Sequence, residues 1–249
     1  MSDALDPDEV ERYARHIVLR EVGGAGQRTL RASRVLIIGA GGLGSPVALF
    51  LAAAGVGTLR IADDDRVSLS NLQRQVLHGT PDVGRSKVES ARDAIDRINP
   101  HVAVEPVPQR FTDANAETLL AGVDLVVEGT DGFAARRTIA DVCERVRIPL
   151  ITAAVGRFEG SVTTLRPYEI GANGANPRFA DLFPAEPPEG TVPTCAEAGV
   201  MGALTGVVGA VQAMEALKEL LGIGEGLVGR LLTYDALSAQ WRTLRYKRG

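Results

Sequence analysis

Apolar and polar positions along the chain change period several times, and each change marks an element. Asp6-Pro7-Asp8-Glu9 opens a helix, with Asp6 as N-cap, Pro7 at the first helical position and Glu9 closing a capping box. Val10, Tyr13, Ala14, Ile17 and Val18 then recur at helical spacing and predict an amphipathic helix over residues 6–20. The run Gly23-Gly24-Ala25-Gly26 is expected to end it. Val35-Leu36-Ile37-Ile38 is wholly apolar, the pattern of a strand buried on both faces. Glycines follow, then a small-residue helix over residues 43–54 and a second strand over 58–63. The stripe Val88, Ala91, Ile95, Ile98 predicts a helix that opens at Lys87 and stops at Asn99-Pro100. A third strand covers 102–107.

The alternation continues through a helix near 114–120, a strand at 124–128, a helix near 134–145 and a strand at 149–155. This order predicts an α/β fold: a Rossmann-like, mostly parallel, twisted sheet with helices on both faces. After Gly156 the pattern changes. Residues 158–165 follow the preceding strand too closely for a crossover, so they should pair antiparallel. Residues 167–193 are rich in Pro, Gly and Asn and lack a period, as functional or mobile loops do. A helix over 196–221 and two further strands, at 230–234 and 239–246, should extend the sheet with antiparallel strands.

Composition narrows the class. Hydrophobic residues make up 45% and charged residues 23%, enough for an ordinary folded core. The net charge is −4 and no five like charges are consecutive, which argues against a nucleic-acid partner. The acidic start has no signal-like apolar segment and no stretch suits a membrane span, so a cytoplasmic protein with no membrane partner is expected. The two cysteines, Cys143 and Cys195, fit a reducing compartment and cannot build a disulfide framework.

Three strings carry candidate chemistry. Gly39-Ala40-Gly41-Gly42-Leu43-Gly44 matches G-x-G-x-x-G between a strand and a helix, where backbone N–H groups can meet phosphate. Asp63, at the end of the next strand, can hold ribose hydroxyls. These two features suit NAD as readily as ATP. The second string, Asp63 to Gln75, puts acid, amide and arginine groups beyond the sheet edge, and Lys87 follows at a helix start. A leaving pyrophosphate builds negative charge that Arg and Lys stabilise, which favours ATP. The competing reading is a solvated polar loop with Lys87 on an exposed face. The third string is Glu128-Gly129-Thr130-Asp131-Gly132, directly after a buried strand. A carboxylate there can hold Mg²⁺ against phosphates, or cap the next helix, and position leaves both open.

Together with Arg12-Tyr13-Ala14-Arg15-His16, Ser68-Leu69-Ser70-Asn71-Leu72-Gln73-Arg74-Gln75, Gly84-Arg85-Ser86-Lys87 and Thr194-Cys195-Ala196-Glu197, these strings closely resemble the MoeB/ThiF/HesA family, which is related to ubiquitin-activating enzymes. The resemblance spans nearly the whole chain. It implies one ThiF-type domain over 1–249, with a nucleotide-binding part at 33–155 and a carrier-binding part at 156–249. It also implies an ATP- and Mg²⁺-dependent adenylyltransferase. The substrate would be the Gly-Gly carboxylate of a ubiquitin-like sulfur-carrier protein, MoaD-like or ThiS-like. By motif match Asp63 would bind ribose, Arg74 and Lys87 the phosphates, and Asp131 the metal. Gly39, Gly41, Gly42, Gly44, Asn71 and Gln75 complete the nucleotide set. Arg15 would serve the partner's site in a homodimer.

Two departures from the family pattern matter. The resemblance implies two Cys-x-x-Cys pairs for structural zinc, but Asn173-Gly174-Ala175-Asn176-Pro177-Arg178-Phe179 and Tyr246-Lys247-Arg248-Gly249 stand in their places. No structural zinc is therefore expected. No sulfurtransferase extension is read either, so a separate sulfur donor protein is expected. Cys195 stands where some relatives have a cysteine implicated in a covalent link to the carrier. A helix N-terminus there would lower its thiol pKa, whereas an inert small residue is the plainer reading. Cys143, His16, His78 and His101 are read as packing or surface residues. The competing function classes are a NAD-binding oxidoreductase, which leaves Arg74, Lys87 and Asp131 without a role, and a non-catalytic carrier-binding protein, which needs no metal carboxylate.

Overall fold

The computed structural model describes residues 4–171, 174–185 and 199–249. The parallel unit is built from β1 (Arg34–Ile38), β2 (Thr58–Ala62), β3 (Ala103–Val107), β4 (Leu125–Glu128) and β5 (Leu150–Val155). β1 pairs in parallel with β2 and β4, β2 with β3, and β4 with β5. The chain then turns back. β6 (Glu159–Leu165) is antiparallel to β5, β9 (Arg230–Asp235) to β6, and β10 (Gln240–Arg245) to β9. The eight-stranded order is β10-β9-β6-β5-β4-β1-β2-β3, and the pair β7 (Ile170–Gly171) and β8 (Gly174–Ala175) stands apart.

Two-residue periodicity explains why β1 reads as continuously apolar. Val35 and Ile37 enter one hydrophobic cluster with Leu59, Ile61, Leu125 and Val127, while Leu36 and Ile38 enter a second with Val126 and Leu150. Helices cover both clusters. α3 (Gly23–Ala32), α4 (Gly44–Ala54), α5 (Lys87–Ile98) and α9 (Gly202–Leu221) lie over the first. α6 (Ala116–Leu120), α7 (Phe133–Val146) and α8 (Phe179–Leu182) lie over the second.

The N-terminal region departs from the expected single helix. The capping box forms: Asp6 accepts from the Glu9 N–H and Glu9 accepts from the Asp6 N–H. The helix then breaks at Tyr13 into α1 (Pro7–Arg12) and α2 (Ala14–Ile17). Tyr13 is buried, but Val10 and Val18 are 47% and 74% exposed, so the expected apolar stripe does not face the core. The glycine run does not end structure either. Gly23, at φ +59°, starts α3, and a Cβ at Gly26 would lie 3.1 Å from Leu221 and Val22. Glycine there lets α3 approach α9 closely.

The expected helix over 196–221 is observed from Gly202, and its residues 196–198 lie outside the described ones. Residues 166–171 and 174–183 are held more firmly than their composition suggests, because the last residues bond to them. Arg248 Nη1 donates to the Pro167 and Asn176 carbonyls, and the Gly249 N–H donates to Asp181. Phe179 and Phe183 meet Phe133 at centroid distances of 5.7 and 6.2 Å, so α8 is seated on the start of α7.

Candidate functional site

Strand order reverses between β1 and β4, and a crevice forms beyond the carboxyl ends of strands at such a point. The glycine loop follows β1 and the 129–132 loop follows β4, so both flank it. They touch: a Cβ at Gly39 (φ +94°) would lie 3.1 Å from the Gly129 carbonyl oxygen. The glycines do different jobs. A Cβ at Gly44 would sit 1.8 Å from the Gly39 carbonyl oxygen, and one at Gly42 3.0 Å from Thr205 of α9. Among the described residues a Cβ at Gly41 would meet only Gln75 Nε2, at 3.7 Å.

Asp63 is buried and holds this loop. Its Oδ2 accepts from the Ala40 N–H at 2.8 Å and its Oδ1 from the Asp65 N–H at 2.8 Å. Lys87 is 5% exposed, which overturns the reading of an exposed helix lysine. Its Nζ lies 2.7 Å from Asp65 and 3.8 Å from Asp63. Lys87 is thus buried in contact with two carboxylates, as a buried lysine needs. Asn71 accepts from the Ser68 N–H and shapes the turn before Arg74. Arg74 donates to the Ser70 carbonyl, and its own carbonyl accepts from Thr205. Gln75 is buried, and its Oε1 has no partner among the described residues.

Asp131 is exposed, and α7 takes Gly132 as N-cap with no side-chain capping bond. The helix-cap reading therefore lacks its hydrogen bond. The loop is held by another group, which the sequence did not disclose. Glu128 is fully buried; its Oε1 accepts from the Thr130 N–H and hydroxyl, and its Oε2 accepts from Thr152 and Arg136. Arg136 also donates to the Thr130 carbonyl. Four donors on one carboxylate compensate its burial and pin the residue next to Asp131. The only sequence signal was an acidic residue ending an apolar strand.

The remaining candidates lie elsewhere. Arg15 is exposed on α2, whose neighbours sit at the far ends of α4 and α5: Tyr13 packs on Gly55, and its hydroxyl accepts from Asn99. α4 runs from the glycine loop to that end, and its 11 residues span roughly 16 Å. Arg15 is thus not brought to its own subunit's crevice. Cys195 lies outside the described residues. Cys143 is buried in α7, and burial pushes its thiol up to about 12, so it is inert packing. The described residues contain one cluster of metal-capable groups, Asp63, Asp64 and Asp65, and no helix long and apolar enough to cross a membrane.

A glycine loop, buried lysine and flanking carboxylates at the switch point of a parallel sheet define a nucleotide-binding α/β protein. The ThiF family model matches residues 13–248, and the chain belongs to that family. It is 48% identical over 247 residues to the SAMP-activating enzyme E1 of Haloferax volcanii, covering 99% of this chain and 89% of that protein. It is 46% identical over 242 residues to the sulfur carrier protein adenylyltransferase of Thermus thermophilus, covering 97% and 89%. The solved structure of PaaA has a TM-score of 0.82 at 28% identity, covering 99% of this chain and 76% of that one. The chain is an adenylyltransferase, and ATP is its nucleotide substrate.

Proposed function

We propose that the enzyme adenylylates the C-terminal Gly-Gly carboxylate of a ubiquitin-like sulfur carrier, MoaD-like or ThiS-like, for molybdopterin or thiamine sulfur transfer. The observation that carries this reading is the joining of the glycine loop, Lys87 and the 129–132 loop at one crevice, in a chain 46% identical to a sulfur carrier protein adenylyltransferase. A carboxylate oxygen of the carrier attacks the α-phosphorus of ATP. The bond from that phosphorus to the bridging oxygen of pyrophosphate breaks, leaving an acyl-adenylate.

Each side chain has a role in this reaction. Asp63 holds the loop and meets the ribose; Gly41 lets the nucleotide approach, and Gln75 Oε1, without a partner among the described residues, is a group waiting for a donor. Arg74 and Lys87 supply charge to the phosphates as pyrophosphate leaves, Lys87 exchanging its contact with Asp65 for them. The Asp131 carboxylate, without a capping bond, is suited to hold Mg²⁺, which supplies neutralisation of phosphate charge. Arg15, a helix length from its own crevice, acts on the site of a second copy. Carrier-dependent ATP–pyrophosphate exchange tests the reading. Exchange with one purified MoaD-like or ThiS-like carrier, lost when its terminal Gly is removed, is expected; no exchange with any such carrier overturns it.

A further inference from the structure

The buried histidine behind the glycine loop has a geometry that packing alone does not require. His78 is 6% exposed and sits between the loop and α5. Its Nε2 lies 3.0 Å from the Ala40 carbonyl oxygen and its Nδ1 lies 2.8 Å from Ser90 Oγ. A carbonyl oxygen only accepts, so Nε2 carries a proton whatever the charge of the ring. Burial pushes the imidazole pKa down and Lys87 adds to this, while the bond to the Ala40 carbonyl, second only to burial, and the charges of Asp82 and Asp63 oppose it; the net shift is downward, which favours the neutral ring. The Ser90 hydroxyl, which also bonds the Asp82 carboxylate, has a single proton to share between that carboxylate and Nδ1.

The bond from Nε2 acts on the Ala40–Gly41 peptide, and the two peptides before it are held as well. The Ala40 N–H is held by Asp63 and the Gly39 N–H by the Ala62 carbonyl. The Ala40 carbonyl belongs to the same rigid plane as the Gly41 N–H, and the two point in opposite directions. Holding that carbonyl inward turns the Gly41 N–H outward, to the open side of the loop. Among the described residues the Gly41 N–H has no partner. Ser90 stands one turn after Lys87 on α5, so the same histidine ties the loop to the helix that carries the phosphate lysine.

We propose that His78 is a positioning residue for the nucleotide: its Nε2–H fixes the Ala40–Gly41 peptide so that the Gly41 N–H faces the bound ATP. This rests on the assignment of the nucleotide to the glycine loop. The probe is α,β-methylene ATP, whose binding to the whole protein is measured by calorimetry without any carrier. His78→Leu keeps bulk but removes the donor, and should weaken binding about tenfold, the effect of one oriented hydrogen bond. His78→Gln can place an amide N–H at the Ala40 carbonyl and should bind within about threefold of the parent. Should the leucine variant not fold, His78→Asn replaces it, its amide being one carbon too short to reach. Equal affinity in all variants, or equal loss in the glutamine and donor-free variants, overturns the positioning role. Lys87→Ala separates the two claims. If it loses the probe while His78→Leu does not, only the role of His78 fails. If it binds the probe as the parent does, the nucleotide assignment itself fails.

Discussion

At the scale of single residues, neighbours with the same identity carry different loads, and substitutions separate them. Gly44 and Gly41 lie three positions apart in one loop. A methyl at Gly44 overlaps the Gly39 carbonyl, so Gly44→Ala should cost about 3 kcal/mol or more and lower the melting temperature sharply. Among the described residues a methyl at Gly41 meets nothing closer than 3.7 Å, so Gly41→Ala should melt like the parent yet bind α,β-methylene ATP more weakly. Equal melting temperatures for both variants would remove the packing role of Gly44. Asp131→Asn should nearly abolish pyrophosphate exchange while the circular dichroism spectrum stays unchanged, because Mg²⁺ loses a charged ligand. Near-parent exchange at saturating Mg²⁺ would leave Asp131 without its metal role. The charge types at Asp63, Lys87 and Asp131 were legible in the sequence. The burial of Lys87 and the four donors around Glu128 were not, because both depend on groups from separate elements.

At the scale of elements, the parallel strands and their helices were legible because each has its own period and its own start and stop signals. The N-terminal segment was not. Val10 and Val18 share helical spacing with Tyr13, but the backbone at Tyr13 (φ −98°, ψ 13°) leaves the helix and breaks the stripe. α3 was hidden because glycine normally ends helices, whereas Gly26 serves contact with Leu221, 195 positions away in sequence. Residues 166–171 and 174–183 show how residues 246–249 restrain a stretch that composition alone leaves free. Arg248→Ala removes donors to two carbonyls and should cost about 1–2 kcal/mol. Amide hydrogen exchange should accelerate over 166–183 and stay unchanged in β1, β2 and β4. Uniform acceleration across the sheet would mean that Arg248 supports the whole fold rather than this segment.

At the scale of the whole molecule, the position of Arg15 is the question. It stands at the end of α4 and α5 away from the crevice, so a role in the reaction requires a second copy. Arginines that reach a phosphoryl-transfer site from a partner are worth roughly 10³–10⁵ in rate, so loss of Arg15 should be plain in pyrophosphate exchange. Mixing Arg15→Ala subunits with Asp131→Ala subunits under exchanging conditions tests the arrangement. Random pairing in a two-fold dimer rebuilds one complete site in each mixed dimer and should restore about a quarter of parental activity. No recovery despite demonstrated exchange of subunits would refute the shared site.

What the sequence determined by itself is local chemistry: strands buried on both faces, a glycine loop between strand and helix, and acids and bases at strand ends. These follow from period and from residue type, which act over a few positions. The tertiary structure decided which of those groups meet. Strand order placed the loops after β1 and β4 against each other, although 90 residues separate Gly39 from Gly129. Packing of the α5 start turned Lys87 inward, and the same packing put His78 behind the Ala40 carbonyl. It also carried Arg15 away from its own crevice. Contacts between distant segments depend on how whole layers fit, and no short stretch of sequence contains that information.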